Sequence, residues 1–119
     1  MASPILIIEN DLDYRTLLTD IVRGLGYEVL AVNRVSDAIQ VMKQEVVSLI
    51  LLDIKMPQVW GHQFARYIRK RGNRIPIIVI SGFLTPDVIE VLRDHRVRQI
   101  IAKPFKVKRI AEEIAKVLG

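Results

Sequence analysis

Oxygen-bearing and cationic side chains stand at the ends of four apolar runs in this chain. "ILII" leads into Glu9, Asn10 and Asp11, "VSLILLDIKMP" reaches Asp53, "IPIIVISG" ends at Ser81 and Gly82, and "RQIIAKPF" ends at Lys103 and Pro104. Brought together, these groups would offer carboxylates, an amide oxygen, a hydroxyl and an ammonium. Oxygen donors are what Mg²⁺ selects, with water filling the remaining octahedral positions. A carboxylate beside such an ion can attack phosphorus, because the metal neutralises charge on an incoming phosphoryl group. A hydroxyl and an ammonium would stabilise the remaining phosphoryl oxygens. No glycine-rich GxxxxGK[ST] loop occurs, which argues against a nucleotide site.

The elements that must position these residues alternate regularly. Apolar runs at Ile5–Ile8, Tyr27–Val32, Ser48–Leu52, Ile75–Ile80 and Gln99–Ala102 are mostly continuous, as in parallel strands covered on both faces. Between them the spacing is helical. Tyr14, Leu17, Leu18, Ile21, Val22 and Leu25 form one stripe, with Asp11 as its N-cap and Gly24 and Gly26 at its end. Val107, Ile110, Ala111, Ile114, Ala115 and Leu118 form another. Val35–Gln44, Trp60–Arg71 and Pro86–Asp94 complete the series, with Ser36 and Thr85 as expected caps and Pro86 at a first helical position. Five strand–helix units predict an α/β fold, a flavodoxin-like (βα)5 doubly wound parallel sheet in the order 2-1-3-4-5. In such a sheet ligands bind beyond the carboxyl ends of the strands, near the point where the order reverses. The polar residues above fall there.

Length and composition narrow the classes. A chain of 119 residues, half of them apolar, fits a single domain spanning 1–119. With no cysteine, disulfides and thiolate metal sites are excluded. The N-terminus lacks a basic region and a sufficient apolar run for a signal peptide, and no run approaches the ~20 residues of a membrane span. A soluble, cytoplasmic protein with no membrane contact is expected. The net charge of +5 comes from "ARYIRKRGNR" and from Arg93–Lys116, which carry no zinc-finger spacing or RNP-like aromatic pair. Direct nucleic-acid binding is therefore not expected. His62 and His95 lack metal-ligand spacing and read as solvated surface residues.

With these residues in order, the whole chain resembles the receiver domain of two-component response regulators. The resemblance rests on the acidic patch after "ILII", "LLDIKMPxxxG" from Leu51 to Gly61, "VISG" and "KPF". It implies that Asp53 is the phosphoacceptor, supplied by a sensor histidine kinase or a phosphotransfer protein. It implies that Glu9, Asn10, Asp53 and the backbone carbonyl of Lys55 hold Mg²⁺. Ser81 matches the hydroxyl that moves toward the phosphoryl group, and Lys103 the lysine that pairs with it, often before a cis bond to proline. A receiver acts as a switch that assists its own phosphorylation and dephosphorylation, not as an enzyme with a separate substrate. A downstream protein or an attached output domain would read it, as a monomer or weak dimer.

The sequence departs from the family pattern at three places. Asn10 stands where Asp is usual, which removes a formal charge beside the metal. Ile100 stands three before Lys103, where an aromatic residue usually swings inward. Arg96 and Val97 stand where many relatives carry Gly-Ala, making the surface of the fourth helix, fifth strand and fifth helix basic and suited to an acidic partner. The rival reading is a phosphorylation-independent pseudo-receiver, opposed by the presence of Asp53, Ser81 and Lys103. A flavin protein of the same architecture is opposed by the lack of a Ser/Thr/Gly-rich loop after the first strand.

Overall fold

The computed structural model describes residues 3–119. Its elements run β1 (Ile5–Ile8), α1 (Leu12–Gly24), β2 (Val29–Val32), α2 (Val35–Gln44), β3 (Leu49–Leu52), α3 (Gly61–Lys70), β4 (Ile77–Ser81), α4 (Pro86–Asp94), β5 (Gln99–Ala102) and α5 (Val107–Leu118). All strands are parallel, in the order β2-β1-β3-β4-β5. The expected topology and all five helices are present.

Alternation along the strands splits the core in two. Ile5, Ile7, Leu49, Leu51, Ile78 and Ile80 pack with Leu18, Val22, Ile110 and Ile114 under α1 and α5. Leu6, Ile8, Ile50, Leu52 and Val79 pack with Ala38, Phe64, Ile68, Val88 and Leu92 under α2, α3 and α4. The central strands are buried on both faces, which is why they read as unbroken apolar runs.

Several expected boundaries move, each for a local reason. β2 begins at Val29, because Gly26 turns the chain at φ 95° and the Tyr27 amide still bonds back to Val22 of α1. β4 begins at Ile77, since Pro76 has no amide hydrogen and the Ile75 amide is taken by the Asn73 side chain. Asp11 and Thr85 cap α1 and α4 through bonds from the Tyr14 and Val88 amides. Ser36 does not cap α2. Arg34 occupies that position without a side-chain cap bond, and its ion pair to Asp37 closes the first turn. Leu17 and Leu25 leave the expected α1 stripe, at 43% and 42% exposure, because a helix lying on a sheet buries only the narrower line through Leu18 and Val22.

Register levels the strand ends. Ile8 pairs with Leu52, Leu52 with Val79, and Ser81 with Ala102. Glu9, Asp53 and Lys103 each come one residue after their strand, and Ser81 is the last residue of β4, so all four emerge at one edge of the sheet.

Candidate functional site

At that edge two carboxylates are buried around one ammonium. Glu9 is 1% exposed and Asp53 8%. The Lys103 ammonium donates to Glu9 Oε1 and lies 3.4 Å from Asp53 Oδ2. The other oxygen of each carboxylate is held by backbone: Asp53 Oδ1 accepts from the Ile54 amide at 2.7 Å, and Glu9 Oε2 from the Asp11 amide at 3.1 Å. Asp53 therefore turns one fixed oxygen to the backbone and the other toward the cation. Burial and the adjoining Asp53 carboxyl push the Glu9 carboxyl up to about 7, against the downward pull of Lys103. The site thus lacks positive charge for the carboxylates it gathers.

Around this centre the loops are tied down individually. Arg15 donates from Nη1 to the carbonyls of Glu9, at 3.0 Å, and Asn10, at 3.4 Å, fixing the β1–α1 turn. The Asn10 side chain is exposed at the rim. Buried Ser81 accepts the Phe83 amide on Oγ at 3.0 Å, and its carbonyl accepts the Lys103 amide at 3.0 Å. The Lys103–Pro104 bond is cis. Lys55 follows buried Ile54 in the β3–α3 loop, with its ammonium 5.9 Å from the Phe83 ring centre. Phe83 meets Trp60 edge-on at 5.0 Å, so the β3–α3 and β4–α4 loops touch above the site.

Three contributions escaped the sequence reading. Tyr14, read only as part of an apolar stripe, lays its ring 4.2 Å from the Lys103 ammonium and is backed by Phe105 at 5.8 Å. Gly61, part of a recognised motif, proves to be a packing requirement: a Cβ there would lie 2.0 Å from the Asp53 carbonyl oxygen. His62 and His95 are half-buried instead of solvated. His62 sits edge-on to Trp60, where burial pulls its pKa below the usual imidazole range, and His95 Nδ1 is 2.8 Å from the Val91 carbonyl. The Tyr14 contact had a faint signal, an aromatic one helical turn after a strand-end acid; neither histidine had any.

The sequence profile of the response regulator receiver domain matches residues 5–115. This chain belongs to that family. The receiver domain is 29% identical over 117 residues to the response regulator FleR of Pseudomonas aeruginosa, covering 98% of this chain and 24% of that one. It is 26% identical over 121 residues to the polar-differentiation response regulator DivK of Brucella abortus, covering 100% of this chain and 98% of DivK. It thus spans about a quarter of one relative and nearly all of the other. A CheY-like receiver domain from Methanospirillum hungatei superposes with a TM-score of 0.91 at 22% identity, covering 98% of this chain and 93% of that one, which shows the shared fold. Receiver domains are the phosphate-accepting signalling modules of two-component systems, regulators and not conventional enzymes. No helix among the described residues is long and apolar enough to cross a membrane.

Proposed function

We propose that this receiver domain takes a phosphoryl group onto Asp53 from a phosphohistidine of a sensor kinase or phosphotransfer protein, and so switches a surface read by a downstream protein. The observation that carries the reading is the Lys103 ammonium shared between two buried carboxylates, bonded to Glu9 Oε1 and 3.4 Å from Asp53 Oδ2, an oxygen without a backbone donor. Within this reading residues 1–119 act as one receiver domain, working in the cytoplasm.

The donors at the rim are all oxygens, and two buried carboxylates favour a divalent cation of the Mg²⁺ kind. Glu9, the Asn10 amide oxygen, Asp53 and the Lys55 backbone carbonyl would hold it. Among the described residues no group of three or more acidic, histidine or cysteine side chains is placed to hold a metal ion, so this site would draw on an amide and a backbone carbonyl as well. Bound there, Mg²⁺ supplies charge neutralisation for the incoming phosphoryl group.

Asp53 Oδ2 forms the new bond to phosphorus as the phosphorus–nitrogen bond of the donor breaks, and the imidazole takes the leaving electron pair. Lys103 exchanges part of its contact with the carboxylates for a phosphoryl oxygen, and the Ser81 hydroxyl donates to another. That donation draws Ser81 Oγ away from the Phe83 amide it now accepts. Since Ile100 is half-buried against the core, we assign transmission of the signal to this β4–α4 turn. Phosphoramidate, whose phosphorus–nitrogen bond mimics phosphohistidine, tests the whole reading. With Mg²⁺ it should shift amide resonances of Ser81–Val88 and of β5 in the native protein and leave Asp53→Ala unchanged. Identical spectra before and after treatment of the native chain would overturn the proposal.

Two substitutions probe the rim. Asn10→Asp restores a charge beside the cation, and Trp60 fluorescence should show Mg²⁺ binding tightened on the order of tenfold; equal affinities would remove Asn10 from the metal site. Phe83→Ala takes away the ring packed on Trp60 and opens the site to water. Loss of phosphate from the phosphorylated protein should then accelerate several-fold, and an unchanged lifetime would show that Phe83 screens nothing.

A further inference from the structure

At the other end of the sheet, where the strands begin, the turns gather arginine with little acid. Arg69 and Lys70 end α3, Arg74 precedes β4, and Arg96 and Arg98 lie in the turn from α4 to β5. Two adjoining cavities of about 290 and 320 Å³ open there and share Arg69, Arg74 and Arg96 as walls. Among the described residues Asp94 is the only acid lining them. Among the described residues, Lys70, Arg74, Arg96 and Arg98 enter no ion pair.

Arg69 has a structural purpose. Its Nε donates to the His95 carbonyl at 2.8 Å, and its Nη1 to those of Asn73 and Ile75 at 3.0 and 2.8 Å, strapping the two turns together. Arg96 has none of this kind. Its backbone is left-handed, at φ 62°, in a helix-ending position that glycine occupies most readily. Its charge also opposes Arg69, whose pKa is lowered by burial and then by Arg96. Backbone and charge both work against folding at this residue. Such a residue persists where a ligand makes use of it.

We propose that these two turns form a docking site for an acidic segment of a partner protein, with Arg74, Arg96 and Arg98 receiving its carboxylates. Guanidinium forks suit carboxylates bidentately. Side-by-side cavities suit anionic side chains spaced at alternate residues of an extended chain, about 7 Å apart. Among the described residues no Phe, Tyr or Trp lines either cavity, so these give the site no platform for stacking nucleobases. It lies across the sheet from Asp53 and works without phosphorylation.

The test is fluorescence anisotropy with a labelled short peptide alternating Glu and Ser, titrated with the full chain at low salt. Saturable binding that weakens as salt rises is expected. Arg96→Gly and the pair Arg74→Ala, Arg98→Ala should each cut affinity by about tenfold or more. Removing equal charge elsewhere through Lys106→Ala with Lys108→Ala should change it less than about twofold. Arg96→Gly should keep or raise the thermal unfolding midpoint, so its lost binding is not lost folding. Asp53→Ala should bind the peptide as the native chain does, which separates this proposal from the phosphorylation reading. Absence of saturable binding, equal losses in both double variants, or tighter binding of tripolyphosphate or a single-stranded oligonucleotide than of the peptide would each overturn it.

Discussion

Lys103→Ala should slow phosphorylation by acetyl phosphate by about 10²–10³-fold while tightening Mg²⁺ binding. The two effects have opposite signs for one reason. The ammonium lies against Glu9 and 3.4 Å from Asp53 Oδ2, so it is placed to neutralise a phosphoryl oxygen as the bond to Asp53 forms. Losing one such preorganised donor typically costs two to three powers of ten in rate. The same ammonium repels a divalent cation from the carboxylates, and its removal should improve Mg²⁺ affinity on the order of tenfold. Folding should suffer less than the several kcal/mol usual for a broken buried ion pair. In the metal-free protein Glu9, already pushed up to about 7, can take a proton once its partner is gone. Initial rates by intact mass and a Trp60 fluorescence titration measure both quantities. A fall in Mg²⁺ affinity alongside the slower reaction would show that Lys103 only holds the pocket together.

Gly61→Ala should disable the site from outside it. The added Cβ would lie 2.0 Å from the Asp53 carbonyl oxygen and 2.9 Å from both the Asp53 carbonyl carbon and the Ile54 Cα, all backbone atoms that cannot swing aside. The start of α3 must retreat, although the Gly61 amide is bonded to the Ile54 carbonyl at 2.8 Å. Overpacking of this kind costs about 1–3 kcal/mol. A displacement of about 1 Å at Asp53 would cost on the order of 10²-fold in phosphorylation rate. Gly24→Ala is the control, because nothing lies within 4 Å of the Cβ it would add. Thermal unfolding and phosphorylation of Gly24→Ala should stay close to native. If Gly61→Ala behaves the same way, the close approach of α3 to the Asp53 backbone has no functional weight.

Most of the architecture was legible because its signals are local and strong. Continuous apolar runs marked the buried parallel strands, and residues just past them had to meet once the strand order was known. That order placed Glu9, Asp53, Ser81 and Lys103 at one end of the sheet, and the likeness to receiver domains singled them out from the other residues there. Contacts between distant turns were not legible. An aromatic one helical turn after a strand-end acid is only a faint sign that the Tyr14 ring will face Lys103, and a glycine in "LLDIKMPxxxG" does not announce which backbone it must avoid. The starts of β2 and β4 moved because a helix-ending turn and a proline decide where ladder bonds can begin. Ser36 was a reasonable cap by residue type, yet the chain entered α2 two residues earlier, at Arg34. Arg96 stands where many relatives carry glycine, and its left-handed backbone is the conformation that glycine takes most readily, although an arginine does not by itself announce it.

The central claim is that Asp53, in a pocket shared with Glu9, Ser81 and Lys103, carries phosphorus. Intact-mass measurement after incubation with acetyl phosphate and Mg²⁺ tests it most directly. One phosphoryl adduct on the native chain, absent from Asp53→Ala and retained in Asp13→Ala, is the predicted result. An unmodified native chain, or an adduct that survives in Asp53→Ala, would contradict it.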